Sequence, residues 1–285
     1  MEYTMTQHFL SCPAPAKLNL FLHVTGQRAD GYHSLQTLFR FINLYDTLHF
    51  TLREDGMVCR SNSVEGVAEE LDLCVCAARL LQNETGCALG VDIKLEKRIP
   101  MGGGLGGGSS DAATTLIALN RLWSLGLTRG RLMQLGLKLG ADVPVFLFGE
   151  SAFAEGVGEE LQAFPLTDAW YVVLFPPVQV STAQIFAHPE LTRDSVSITM
   201  RALSERQFCN DLQAVVCKLY PEVAQHIAWL SDFGKAMMTG SGASVFAEFS
   251  SRSQAETVLQ QLPQHMSGVV AKGLAVHPLH DWVCD

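Results

Sequence analysis

Residues 16–22 alternate between apolar and polar side chains with period two, which predicts a strand carrying Leu18, Leu20 and Leu22 on one face. The same alternation sets Lys17, Asn19, Phe21 and His23 on the opposite face. Residues 91–97 alternate again and predict a second, half-buried strand. Residues 71–81 instead place apolar side chains at helical spacing, with Gly86 just beyond as a stop signal. Behind a glycine cluster, Ala112, Leu116, Leu119 and Trp123 mark one stripe of a helix, with Ser109 or Ser110 suited to its N-cap. Another helix is predicted over 129–139 and is broken by Gly140-Ala141-Asp142-Val143-Pro144.

From Trp170 the texture restarts. Strands are predicted over 170–175, 245–249 and 268–276, and helices over 211–220, 222–230 and 255–262. A boundary near residues 155–170 divides the chain into 1–158 and 159–285. Strands and helices mix without strict βαβ alternation, so the expected class is α+β with two subdomains.

Charge and cysteine usage narrow the function classes. The formal net charge is −9, from 29 acids against 20 bases, which argues against a nucleic-acid-coating role. Any anionic ligand must therefore be held by local structure and not by the field of the whole molecule. The 8 cysteines contain no C-x-x-C pair and no Cys/His zinc spacing, and read as reduced thiols of a cytoplasmic protein. Residues 1–11 lack a basic segment followed by an apolar one, so no signal peptide is expected. The apolar run 170–175 stops at Pro176-Pro177, far short of a bilayer span, and no membrane partner is expected.

The segment of greatest chemical content is Pro100-Met101-Gly102-Gly103-Gly104-Leu105-Gly106-Gly107-Gly108-Ser109-Ser110, between a predicted strand and a predicted helix. Its glycines let successive backbone N–H groups approach an anion without Cβ obstruction. The helix behind adds unsatisfied N-terminal donors and a positive dipole end. Three nucleotide motifs compete for this loop. The Walker A pattern fails because Ser109 follows Gly108 where a lysine is required. The dinucleotide fingerprint matches at Gly102, Gly104 and Gly107, but no Asp or Glu lies between Asp111 and Asp142 to take the ribose. Asp232-Phe233-Gly234 spells the metal-binding tripeptide of protein kinases without the accompanying catalytic motifs, and reads as a helix-ending turn.

Four segments together resemble the GHMP kinases, the superfamily named for galacto-, homoserine, mevalonate and phosphomevalonate kinases. They are Pro15-Ala16-Lys17-Leu18-Asn19-Leu20, the glycine loop through Asp111-Ala112-Ala113, Leu139-Gly140-Ala141-Asp142-Val143-Pro144, and Thr239-Gly240-Ser241-Gly242-Ala243. Gly26-Gln27-Arg28-Ala29-Asp30-Gly31-Tyr32-His33 and Phe153-Ala154-Glu155-Gly156-Val157-Gly158 are similar to the branch that acts on a cytidyl diphosphate sugar alcohol. The resemblance spans nearly the whole chain. It implies a two-lobed fold, with a ribosomal-protein-like N-terminal domain and a ferredoxin-like C-terminal domain. It also implies transfer of the ATP γ-phosphoryl to the 2-hydroxyl of the cytidyl substrate, a step of the non-mevalonate isoprenoid pathway.

The resemblance assigns roles residue by residue. Asp142 is the implied general base; its alternative reading from the sequence alone is a helix or turn cap before Pro144. Lys17, otherwise an ordinary solvated edge-strand lysine, is implied to keep Asp142 ionised and to stabilise charge on the transferring phosphoryl. Asn19 is implied to orient the substrate. Tyr32 and His33 are implied to bind the cytidine end, with Thr182 and Phe186 as the opposite wall. Lys97 and residues 100–110 are assigned to ATP, and Gly240, Ser241 and Gly242 to a loop closing over the phosphates. No acidic residue is assigned to a metal, and Mg²⁺ is expected as MgATP. Leu71-Asp72-Leu73 stands where the family has Asp-Asn-Leu, with its asparagine near the adenine. A monomer or weak homodimer is expected. Another GHMP small-molecule kinase, such as homoserine kinase, or a non-catalytic nucleotide-binding module are the alternatives.

Overall fold

The computed structural model describes residues 8–64, 66–200 and 209–285. Two long strands, β1 (Phe9–Gln27) and β2 (His33–Arg53), form an antiparallel hairpin. The hydrophobic pattern does not single out β2. Its middle is buried on both faces and takes Gln36, Thr37 and Arg40 inside with the apolar residues, which blurs the alternation. After β3 (Val58–Arg60), α1 (Leu73–Thr85) starts with the Asp72 carboxylate accepting from Cys74 N–H and stops at left-handed Gly86. The strand β4 (Gly90–Glu96) then pairs antiparallel with β2 and parallel with β3.

Three helices follow: α2 (Gly107–Leu122), α3 (Arg129–Leu137) and α4 (Val143–Phe148). With α1 they cover one face of β1, β2 and β4 in a core that includes Phe41, Phe50, Leu81, Leu116 and Phe146. The hairpin β5 (Ala152–Glu155) and β6 (Glu160–Ala163) attaches to β2. The second half contains β7 (Trp170–Leu174), α5 (Thr182–Ala187), α6 (Gln213–Leu219) and α7 (Pro221–Ser231). It continues with β8 (Ala236–Met238), β9 (Val245–Phe249), α8 (Arg252–Leu259) and β10 (Gly268–Leu274). Gly234 N–H bonds Leu230 O at 3.3 Å, so Asp232-Phe233-Gly234 does end a helix. The sheet runs β3-β4-β2-β10-β7-β9-β8, and β10 joins its halves by pairing with both β2 and β7. The class is α+β. Among the described residues, no helix is long and apolar enough to cross a membrane.

Two local expectations need correction. A register shift between Asn19 and Leu22 inserts one extra residue into β1 and exchanges its faces. Phe21 therefore packs in the same cluster as Leu18 and Leu20, whereas Leu22 joins Val24 in the core of the second half. Helix α2 is capped by Gly106 in a left-handed conformation, one turn earlier than a serine cap requires. Ser109 and Ser110 lie within its first turn, and Ser110 N–H already donates to Gly106 O at 2.8 Å.

The end of the chain returns to the first half, where Leu279 and Val283 enter the helical core. Arg129, at the start of α3, holds it there. Its guanidinium donates to Leu147 O (3.0 Å), His280 O (3.1 Å) and Val283 O (3.0 Å), and its Nε meets Asp285 at 2.6 Å. Arg129→Met leaves these carbonyls without a charged donor. We expect a loss of about 3 kcal/mol of stability, read from the midpoint of urea unfolding.

Candidate active site

Asp46, fully buried on β2, shapes the approach to the glycine loop. Its carboxylate accepts from Arg98 N–H and from Ile99 N–H at 2.9 Å, and also takes the Lys97 ammonium. These contacts turn the chain out of β4 toward residues 100–106. Gly104 has φ +74°, and a Cβ there would lie 2.2 Å from Thr239 O. Backbone therefore docks on backbone, and Ser244 N–H donates to Gly103 O at 3.0 Å across the same contact. Gly106, at φ +72°, leaves room for the Lys17 chain, whose Cε would be 3.1 Å from an added Cβ. Behind Gly106 the first amides of α2 have no intrahelical acceptor, and Gly107, Gly108 and Ser109 line the cleft.

Lys17 is 2% exposed, so it is not a solvated lysine. Its Nζ donates to Asn19 Oδ1 at 2.6 Å and lies 3.3 Å from Asp142 Oδ2. The pairing follows from period two on β1, which keeps Lys17 and Asn19 on one face up to the bulge. Asn19 is fixed in turn: its Nδ2 donates to Thr37 Oγ1 at 2.9 Å, and its backbone N–H to Thr239 Oγ1 at 2.8 Å. Asp142 precedes α4 but its side chain makes no capping bond, and its carboxylate meets Lys17 instead.

At the other end of the cleft, His33 opens β2 and its ring lies 5.0 Å from that of Phe186 on α5, tilted by 31°. Thr182 Oγ1 and Ser241 Oγ are 2.6 Å apart, which links α5 to the Gly240 loop. Tyr32 sits at the rim, 64% exposed, on a turn closed by Arg28 N–H donating to Tyr32 O. Sequence reasoning missed Arg193, which lines this end and donates from Nε to His33 Nε2 at 3.1 Å. A guanidinium cannot accept a hydrogen bond, so Nε2 is the acceptor and the neutral ring carries its proton on Nδ1. Burial first, and Arg193 second, hold the His33 pKa below its usual 6.5. No local signal marks Arg193, which lies 160 residues from His33 in sequence.

Every sequence-predicted site residue except Ser110 lines one cleft of ≈ 1320 Å³, larger than a typical single-ligand pocket of about 300–1,000 Å³. Ser110 is fully buried within α2, which removes it from phosphate or metal contact; Ser109 lines the cleft. Lys97 reaches the cleft wall, but its ammonium is held by Asp46 and by Asp111 at 2.9 Å. Burial pushes the Asp111 carboxyl well above the usual carboxylate range against the pull of Lys97, and the Asp46 carboxylate beside it adds to the rise. The Asp72 carboxylate caps α1 and pairs with Arg60 at 2.8 Å. Around it Val64, Val67, Leu71 and Leu73 form an apolar wall of the cleft.

Comparison with known proteins bears on the family. The model of the GHMP kinases N terminal domain matches residues 72–150, and that of the GHMP kinases C terminal domain matches 188–268. The chain is similar to the 4-diphosphocytidyl-2-C-methyl-D-erythritol kinase of Nitrosospira multiformis, at 59% identity over 97% of this chain and 95% of that one. It is 58% identical to that of Thiobacillus denitrificans, over 98% of this chain and 99% of the relative. A solved 4-(cytidine 5'-diphospho)-2C-methyl-D-erythritol kinase superposes with a TM-score of 0.79 at 33% identity, covering 92% of this chain and 98% of that one. The mevalonate kinase of Methanococcus jannaschii shares the fold, with a TM-score of 0.70 at 16% identity over 94% of this chain and 98% of that one. A glycine-loop cleft with a buried lysine facing a carboxylate, on a chain matched by both domain models, means that the chain belongs to the GHMP kinase family.

Proposed function

We propose that this kinase transfers the γ-phosphoryl group of ATP to the 2-hydroxyl of 4-diphosphocytidyl-2-C-methyl-D-erythritol, giving the 2-phosphate and ADP. The observation that carries the reading is the Lys17–Asp142 pair, 3.3 Å apart, in the same cleft as the glycine loop and the His33–Phe186 pair. One cleft thus offers an anion nest, a base and a nucleobase clamp.

The α2 amides and the glycine loop bind the triphosphate, and Gly240, Ser241 and Gly242 close over it from the second half, the two lobes being divided near residue 158. Bound MgATP supplies the phosphoryl group, with Mg²⁺ neutralising phosphate charge. Asp30, Asp72, Asp111 and Asp142, the cleft carboxylates, each have a cationic partner, so none is assigned to the metal, which enters on the nucleotide. The acceptor hydroxyl sits against Asp142, which takes its proton as the O–P bond forms. Lys17 pairs with Asp142 and offers positive charge to the transferring group without reorganisation, because Asn19 already fixes its position. Asn19 acts mainly through Lys17, since both ends of its amide are engaged within the protein. At the far end Phe186 supplies an apolar face for the cytosine, His33 Nδ1–H donates to a ring acceptor, and Tyr32 covers the rim. Leu71, Leu73 and neighbouring apolar side chains receive the adenine in place of a polar side chain at position 72. All 8 cysteines are free, which suits a reducing cytoplasm, and the chain acts as a monomer or weak homodimer.

Asp142→Asn is expected to lower kcat by about 10²–10⁴-fold in a coupled ADP assay while ATP still binds. Full turnover by this variant removes the base assignment. The His33 tautomer generates a second expectation. Protonating His33 places a cation beside the Arg193 guanidinium and breaks their hydrogen bond, so the KM for the cytidyl substrate should rise as pH falls below the usual histidine range. In Arg193→Ala one of the two causes depressing the His33 pKa is gone. The inflection of KM against pH then moves to higher pH, while kcat at saturation changes less. A KM independent of pH in both proteins contradicts this role.

A further inference from the structure

A second constellation lies outside the kinase machinery, where β1 meets the segment that precedes α6. Leu22 N–H donates to Cys209 O at 3.0 Å, and Asp211 N–H donates to Leu22 O at 2.9 Å. This short parallel pairing brings His23 alongside Cys209 and Asp211. His23 Nε2 is 3.4 Å from Cys209 Sγ, and Sγ is 3.8 Å from Asp211 Oδ1. All three donor atoms fall within 4.8 Å of one another.

We infer that His23, Cys209 and Asp211 form a binding site for a thiophilic divalent cation of the zinc class, distinct from the nucleotide cleft. The spacing carries the inference. Zinc bonds of about 2.0–2.3 Å at tetrahedral angles separate neighbouring donors by roughly 3.3–3.6 Å, and Cys209 Sγ stands 3.4 Å from His23 Nε2 and 3.8 Å from Asp211 Oδ1. The donors are also held in place. Asp211 Oδ2 accepts from Val24 N–H at 2.7 Å and from Ser195 Oγ–H at 2.6 Å, which turns Oδ1 toward the thiol. The His23 ring is packed edge-on against Phe21 at 5.0 Å. Such outer contacts orient metal ligands before the metal arrives. Thiolate with imidazole selects zinc-like ions over Mg²⁺, which prefers oxygen donors, so this site does not compete for MgATP. Cys209 is exposed, which leaves the fourth coordination position to water. On binding, the Sγ–H bond breaks as the Sγ–metal bond forms, and the proton leaves to solvent.

The site braces a functional element. Asn210, between the two ligands, donates from Nδ2 to Met238 O at 2.9 Å and to Gly240 O at 2.8 Å. A metal on its neighbours clamps β1 to the strap that holds the Gly240 loop. The test is to titrate metal-free protein with Co²⁺ and follow the near-ultraviolet thiolate-to-cobalt charge-transfer band. One equivalent is expected to bind and to be displaced by Zn²⁺. The band should be lost in Cys209→Ser, an exposed position where the fold is not at stake, and in His23→Gln. No band in the wild type, or a band at wild-type affinity in either variant, overturns the proposal. The unsubstituted protein gives an independent reading: Zn²⁺ should protect Cys209 from iodoacetamide, scored by peptide mass spectrometry, and unprotected alkylation also overturns it.

Discussion

Withdrawing an ammonium group from water costs several kcal/mol unless a counter-charge and hydrogen-bond acceptors meet it inside the protein. Lys17 is such a group, 2% exposed, and the arrangement that satisfies it organises the cleft. Asp142 supplies the charge from the start of α4, and Asn19 supplies a neutral acceptor from the same strand. The Phe39 ring of β2 lies 5.5 Å from Nζ, and Lys17 N–H donates to Leu105 O of the glycine loop at 2.9 Å. Through Asn19 the arrangement extends to Thr239 in the second half. Elements from both halves thus converge on one buried cation. The same cation faces the half-exposed Asp142 carboxylate at 3.3 Å, the group proposed above as the base.

An acidic protein that binds a triphosphate needs donors that carry no net charge. In the proposed function the glycine loop provides them, because backbone amides at a helix N-terminus attract anions whatever the sign of the whole molecule. The loop is held in shape by contacts on both sides. Asp46 fixes its entry through Arg98 and Ile99, and the Gly240 loop packs against Gly104 with no room for a side chain. Lys97 belongs to this support as much as to the ligand surface, since Asp46 and Asp111 both engage its ammonium.

The bulge in β1 has a comparable structural consequence. Without it, Leu22 would stay with Leu18 and Leu20 in the seam between the halves. With it, Leu22 turns into the second core and Phe21 takes the seam position. One strand therefore serves two cores and the cleft between them. Just before the bulge, Asn19 meets the second half directly through its N–H on Thr239 Oγ1.

The sequence by itself determined the features that depend on near neighbours. Period-two alternation marked β4 and the start of β1, helical spacing with a glycine stop marked α1, and strand, glycine cluster and helix in succession marked the anion loop. The resemblance in short motifs added Asp142, Tyr32 and His33, and all of these came together in one cleft. Only the tertiary structure decided which face Leu22 takes, that Gly106 rather than a serine caps α2, and that Ser110 is buried. It alone revealed β2 as a continuous strand, Arg193 beside His33, and Arg129 under the returning chain end. The physical reason is common to these cases. Helical period and strand alternation are written in adjacent residues, whereas register, burial and the partner of a charged side chain depend on what the folded chain packs against each segment, as Arg193 does against His33 from 160 residues away.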